Sequence, residues 1–159
     1  MMRTAADLGL FHDKKILVVE DEVFIALDIA TELECLGAQV VGPSATAQEG
    51  LQLLEKNAVD GAIADVNLLD GDALPLLQRL AKEQVAVVIH TGGALPWVYH
   101  DRFPHLPVCT KPTTPMALAE ALSGEILARA GEAERLSQPD DRRLTRTIVT
   151  SPAIAPGLS

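Results

Sequence analysis

Lys15-Ile16-Leu17-Val18-Val19-Glu20-Asp21-Glu22 is the stretch whose reading decides the fold. An aliphatic run of four residues stops abruptly at three acids. Three more runs end in the same way. Gly61-Ala62-Ile63-Ala64 ends at Asp65, Ala86-Val87-Val88-Ile89-His90 at Thr91, and Pro107-Val108-Cys109-Thr110 at Lys111-Pro112. Short apolar runs alternating with helix-like stretches read as buried parallel strands. In an open parallel sheet, functional groups gather outside the carboxyl ends of the strands. Three acids, a hydroxyl and a lysine therefore converge at one edge.

The intervening segments supply the helices. Phe24, Leu27, Ala30 and Leu33 repeat at helical spacing, and Gly37 stops that helix, predicted over 23–36. Gln39–Gly42 is the second strand. Thr46 and Glu49 form a capping box that opens a helix to Lys56. A third helix covers 73–82, with Leu74, Leu77 and Leu80 inward, and a short fourth covers 95–102. Thr114 caps a fifth, with Pro115 in its first turn. Leu118, Leu122 and Ile126 mark its buried side, and it frays past Arg129. Strand then helix, five times over, predicts an α/β fold: a doubly wound sheet with helices on both faces.

Residues 1–13 read as an N-terminal leader whose Leu8, Leu10 and Phe11 could dock on the domain. Residues 14–136 form the domain, and 137–159 read as a flexible C-terminal tail too polar to build a core.

The chain of 159 residues is 48% apolar but only 3% aromatic, so its core is aliphatic. A net charge of -9 argues against a nucleic-acid partner and for protein partners. Met1-Met2-Arg3-Thr4-Ala5-Ala6-Asp7 lacks the apolar core of a signal peptide, and no run is long enough to cross a membrane. Cys35 and Cys109 sit in apolar contexts and read as reduced and structural. A cytoplasmic protein away from membranes is expected.

The chemistry of the edge derives from its residue types. Three adjacent carboxylates stay ionised together only around a cation, and oxygen ligands suit Mg²⁺. A carboxylate can accept a phosphoryl group as an aspartyl phosphate. Lysine binds phosphate as a point charge, and a threonine hydroxyl donates to a phosphoryl oxygen. These pieces add up to phosphoryl transfer onto Asp65. Taken singly they are blander: Glu20-Asp21-Glu22 as a solvated helix start, Asp65 as a loop cap, His90 as a satisfied structural histidine. His12, His100 and His105 lack ligand spacing. Arg135, Arg142, Arg143 and Arg146 read as a solvated stretch.

Residues 15–125 resemble the receiver domain of two-component response regulators. The likeness rests on Ile-Leu-Val-Val-Glu-Asp-Glu at 16–22, Ala-Asp-Val-Asn-Leu at 64–68, His-Thr-Gly at 90–92 and Lys-Pro at 111–112. It implies a flavodoxin-like five-stranded parallel sheet in the order 2-1-3-4-5. By position, Asp65 resembles the phosphoacceptor, Asp21 the direct metal ligand, and Glu20 the acid that reaches metal through water. Asn67 would complete the metal shell with its backbone carbonyl. Thr91 resembles the switch hydroxyl and Lys111 the phosphate-binding lysine, with Lys111-Pro112 cis. Val108 stands where the family often has an aromatic residue, so the signal is expected to pass through the loop at Gly92, Gly93, Pro96 and Trp97. Thr91-Gly92-Gly93 is similar to stand-alone receivers with a Phe-Ala-Thr-Gly loop, Ile89-His90 replacing the first two letters.

The resemblance implies no enzyme beyond Mg²⁺-dependent self-phosphorylation and autodephosphorylation. It implies a phosphorelay: a sensor histidine kinase or phosphotransfer protein as donor and a downstream protein as target. Helix 4, strand 5 and helix 5 form the signalling face and a candidate homodimer surface. The alternative is a degenerate receiver that binds proteins without phosphorylation. An aspartyl phosphatase or mutase needs an acid two residues after its nucleophile, where Asn67 stands. A dinucleotide binder needs a glycine-rich turn where Glu20-Asp21-Glu22 stand.

Overall fold

The structure is a computed structural model that describes residues 9–137. Residues 1–8 and 138–159, with Leu8, Arg142, Arg143, Arg146 and nearly all of the expected tail, lie outside the described residues. The chain divides into two compact units, Met1–Arg129 and Ala130–Ser159. The sheet and the acidic edge belong wholly to the first.

Five parallel strands form the sheet: β1 (Lys15–Val19), β2 (Gln39–Ser44), β3 (Gly61–Asp65), β6 (Ala86–Thr91) and β7 (Val108–Thr110). Their spatial order is β2-β1-β3-β6-β7, the expected 2-1-3-4-5. Between β3 and the next helix lies a miniature antiparallel hairpin of β4 (Asn67–Leu68) and β5 (Gly71–Asp72), where the sequence predicted only a loop. The helices are α1 (Val23–Cys35), α2 (Ala47–Lys56), α3 (Leu74–Lys82), α4 (Trp97–Arg102) and α5 (Pro115–Ser137).

Alternation along the strands sorts the core onto two faces. Ile16, Val18, Ile63 and Val88 pack with Ile29 and Leu33 of α1 and Leu118 and Leu122 of α5. Leu17, Ala62, Val87 and Ile89 pack with Leu54 of α2, Leu76, Leu77 and Leu80 of α3, and Tyr99 of α4. Phe11 is fully buried in the first cluster, so the end of the leader docks on the domain.

Three local expectations need correction. In α1 the buried stripe is Ala26, Ile29, Ala30 and Leu33, while Phe24 and Leu27 face outward. In α3 the inward residues are Leu76, Leu77 and Leu80; Leu74 is half-buried. And α5 does not fray at Arg129 but continues to Ser137, because Ala, Leu, Glu and Arg dominate there and all favour helix.

The helix ends match the sequence closely. Gly37, at φ +95°, ends α1 in a Schellman motif: its N–H donates to Glu34 O at 3.0 Å and that of Ala38 to Leu33 O at 3.0 Å. Thr46 Oγ1 accepts from Glu49 N at 3.1 Å at the start of α2. Asp70 completes that start, accepting from Ala47 N at 2.9 Å and Gln48 N at 3.0 Å. Thr114 Oγ1 accepts from Ala117 N at 3.1 Å at the start of α5. Strand β2 is longer than expected and irregular after Val41. Gly42 sits there at φ +95°, where a Cβ would come within 2.9 Å of Val18 O, so the position needs glycine.

Candidate functional site

Each functional side chain sits at or just beyond the end of an aliphatic run. Glu20 and Asp21 come after β1, Asp65 is the last residue of β3, Thr91 the last of β6, and Lys111 comes after β7. The sheet thus brings together residues far apart in sequence. Glu20, Asp21 and Asp65 each offer a carboxylate oxygen, all within 4.8 Å of one another. Glu20 and Asp65 are buried.

Lys111 closes the cluster. Its Nζ donates to Glu20 Oε1 at 2.7 Å and to Asp65 Oδ2 at 2.8 Å, and stands 3.8 Å from Glu22 Oε1. Asp65 Oδ1 accepts from Asn67 N at 3.0 Å, so both oxygens of Asp65 are held. The Lys111-Pro112 bond is cis, as expected, and a second cis bond joins Gly42 to Pro43.

The charges respond to this crowding. Burial pushes Asp21 above the ordinary carboxylate range, and the Asp65 and Glu20 charges push it further. Burial alone would raise Glu20 too. The His90 ring, 3.7 Å from Oε2 and so close without a normal hydrogen bond, and the Lys111 ammonium outweigh that and hold it below the ordinary range. Burial alone would lower Lys111, but its bonds to Asp65 and Glu20 prevail and raise it.

Thr91 is buried, and its hydroxyl donates to Gly93 O at 3.3 Å. Lys111 N donates to Thr91 O at 2.7 Å, tying the lysine's backbone to the end of β6. His90 departs from the satisfied structural role read from the sequence. It is buried, yet neither ring nitrogen has a hydrogen bond. Nδ1 stands 3.7 Å from Glu20 Oε2, a near approach longer than a hydrogen bond. A cavity of about 410 Å³ lies beside Lys111, lined by Glu22, Ile25, His90 and Pro115 among others.

Sequence reasoning missed Tyr99. It is buried, and its hydroxyl donates to Asp72 Oδ1 at 3.2 Å, joining α4 to the hairpin after Asp65. Burial first, then the Asp72 charge, pushes the phenol up to about 12. Leu95, Tyr99 and Phe103, at i, i+4 and i+8, were the signal in the sequence. Trp97, Val108, Val23 and Phe24 are exposed apolar residues. Cys35 is exposed rather than packed, and Cys109 is half-buried; both are free.

No family model matches the chain. The solution structure of SdrG from Sphingomonas melonis is 35% identical, with a TM-score of 0.61, over 72% of this chain and 97% of that one. The crystal structure of a response regulator receiver protein from Sinorhizobium medicae is 25% identical, with a TM-score of 0.65, over 74% of this chain and 97% of that one. The chain belongs to the response-regulator receiver family. Among curated relatives, the phyllosphere-induced regulator PhyR of Methylorubrum extorquens is 33% identical over 102 residues, 62% of this chain and 34% of that protein. This receiver spans about a third of the length of the curated relatives it matches, 34–37%.

Oxygen donors dominate the receiver's acidic edge. A small hard cation fits them on two grounds: three carboxylates converge, and their mutual repulsion already raises Asp21.

Proposed function

We propose that this receiver accepts a phosphoryl group on Asp65 from the phosphohistidine of a sensor kinase or phosphotransfer protein, and signals by binding a further protein. One observation carries the reading. A buried aspartate ends the central strand with one oxygen on Lys111 and the other on the Asn67 N–H, beside two more carboxylates.

An Asp65 carboxylate oxygen attacks phosphorus, the phosphorus–nitrogen bond breaks, and the donor imidazole leaves with a proton. Lys111 passes from Asp65 Oδ2 to a phosphoryl oxygen and neutralises it. The Thr91 hydroxyl turns from Gly93 to another phosphoryl oxygen and draws the loop before α4 with it. Water later cleaves the acyl phosphate, returning the carboxylate and inorganic phosphate. Asp21 and Asp65 would hold Mg²⁺ directly, Glu20 through water, and Asn67 through its carbonyl; bound Mg²⁺ would offset charge on the phosphoryl oxygens. The chain is then a switch that is phosphorylated and dephosphorylated, not a turnover enzyme, and it works in the cytoplasm.

The signalling face is α4, β7 and α5, where Trp97 and Val108 are exposed. The same face would serve a homodimer. With Val108 in place of an aromatic residue, the loop at Gly92 and Gly93 carries the switch.

The test is intact mass after incubation with Mg²⁺ and a small phosphodonor. A gain of one phosphoryl group is expected, lost with chelator and in Asp65→Asn. Absence of any gain would leave a phosphorylation-independent binding module.

A further inference from the structure

His90 is an expensive residue for its place. The inward positions around it on the α1–α5 face, Ile16, Val18, Ile63 and Val88, are aliphatic. Glu20 Oε2 and both His90 ring nitrogens are the buried side-chain polar atoms without a hydrogen bond among the described residues. Two of those three would vanish with an aliphatic residue at position 90. A buried polar group without a partner calls for an explanation.

The explanation lies with Glu20. Its carboxylate is 1% exposed, and Lys111 holds only Oε1. That same lysine is needed by the phosphoryl group in the proposed reaction. Once Lys111 turns away, a buried carboxylate is left without its cation, which is destabilising unless another donor is at hand. His90 Nδ1 faces the free oxygen, Oε2, at 3.7 Å. Closing by about 0.5–1 Å makes a normal hydrogen bond.

We infer that His90 is a positioning residue of the acidic edge: its Nδ1–H takes up Glu20 Oε2 when Lys111 leaves Oε1, and so keeps the Glu20 carboxylate in place beside Asp21. His90 touches neither phosphoryl group nor phosphodonor; it acts through Glu20. The purpose rests on the proposed phosphorylation, but the exchange of partners does not need a phosphoryl group to be observed.

The full chain, free of metal, is labelled with ¹⁵N at histidine, and the His90 ring signals are compared between wild type and Lys111→Met. In the variant, Nδ1 should move to the shift of a hydrogen-bonded N–H, and Glu20→Gln combined with Lys111→Met should reverse the move. Titration with Mg²⁺ alone gives a second readout. In the Lys111→Met background, adding His90→Leu should weaken Mg²⁺ affinity a further severalfold without lowering Tm, and His90→Gln, which keeps a donor, should recover most of it. Unchanged ring signals in Lys111→Met, or Mg²⁺ affinity unchanged by His90→Leu in that background, overturns the inference. The ring shift in Lys111→Met, together with no gain of mass when the wild type is incubated with Mg²⁺ and a phosphodonor, would instead sink the phosphorylation reading and leave this one standing.

Discussion

Within one residue, the strands pass between two environments of equal burial and opposite energetics. Ile16–Val19, Ala62–Ala64 and Val87–Ile89 are at most 2% exposed and wholly aliphatic. One step on, Glu20, Asp65, His90 and Thr91 are at most 3% exposed and polar or ionic. Apolar burial stabilises by about 25 cal/mol per Å². Carboxylate burial is costly unless paired, and here Lys111 alone pairs two of them. The interior holds the fold; the edge gives up stability to keep ionic groups buried. Substitutions in the two regions should therefore fail in different ways.

The largest effect is expected in the interior. Leu122→Ala removes a fully buried side chain between α5 and the sheet and should cost about 2–5 kcal/mol, lowering Tm by roughly 10 °C or more. Mg²⁺ affinity of the folded variant should not change. A loss of affinity alongside the loss of stability would break the division between the two regions.

At the edge the pattern should invert. Asp21→Ala should weaken Mg²⁺ by tenfold or more, and Glu20→Ala by less, because a direct ligand outweighs one acting through water. Equal losses would exchange or merge the two roles. The sign of the stability effect comes from the raised Asp21. The folded chain holds that proton more tightly than the unfolded chain, so Asp21 costs stability at neutral pH. The cost disappears as pH falls below the ordinary carboxylate range. Asp21→Asn should therefore raise the metal-free Tm at neutral pH, lose that advantage in acid, and remove the stabilisation by Mg²⁺. Thermal melts against pH, with and without Mg²⁺, check all three.

Smaller effects sharpen the contrast. Thr114→Ala removes the cap of α5 and should cost about 1 kcal/mol in chemical denaturation, with no change in Mg²⁺ binding. Thr91→Ala should leave stability nearly untouched. It should blunt the change in Trp97 emission caused by beryllofluoride with Mg²⁺, while Asp65 stays modifiable. Flat Trp97 emission in a wild type shown to bind the mimic would move the switch elsewhere.

The acidic edge was legible because aliphatic runs ending in Glu20, Asp65, Thr91 and Lys111 specify both strands and their functional ends. What was illegible depended on distance or on ambiguity of face. The sequence of α1 is apolar nearly all round, so spacing alone could not choose Ala26 and Ile29 over Phe24 and Leu27. Asp70 on the start of α2 and Asp72 under Tyr99 are contacts across 22–27 positions that no local pattern announces. His90 reads from the sequence as a satisfied structural histidine; it is buried without a hydrogen bond, and that depends on its neighbours. The continuation of α5 to Ser137 follows from the helix-forming residues beyond Arg129.

The central claim is that Asp65, and no other acid of the edge, takes the phosphoryl group. Borohydride reduction of the phosphorylated chain followed by peptide sequencing tests it most directly, since reduction converts an aspartyl phosphate to homoserine. Homoserine should appear at position 65 alone, and only when Mg²⁺ was present. Homoserine at position 21, or at position 65 in equal yield without Mg²⁺, would contradict the account.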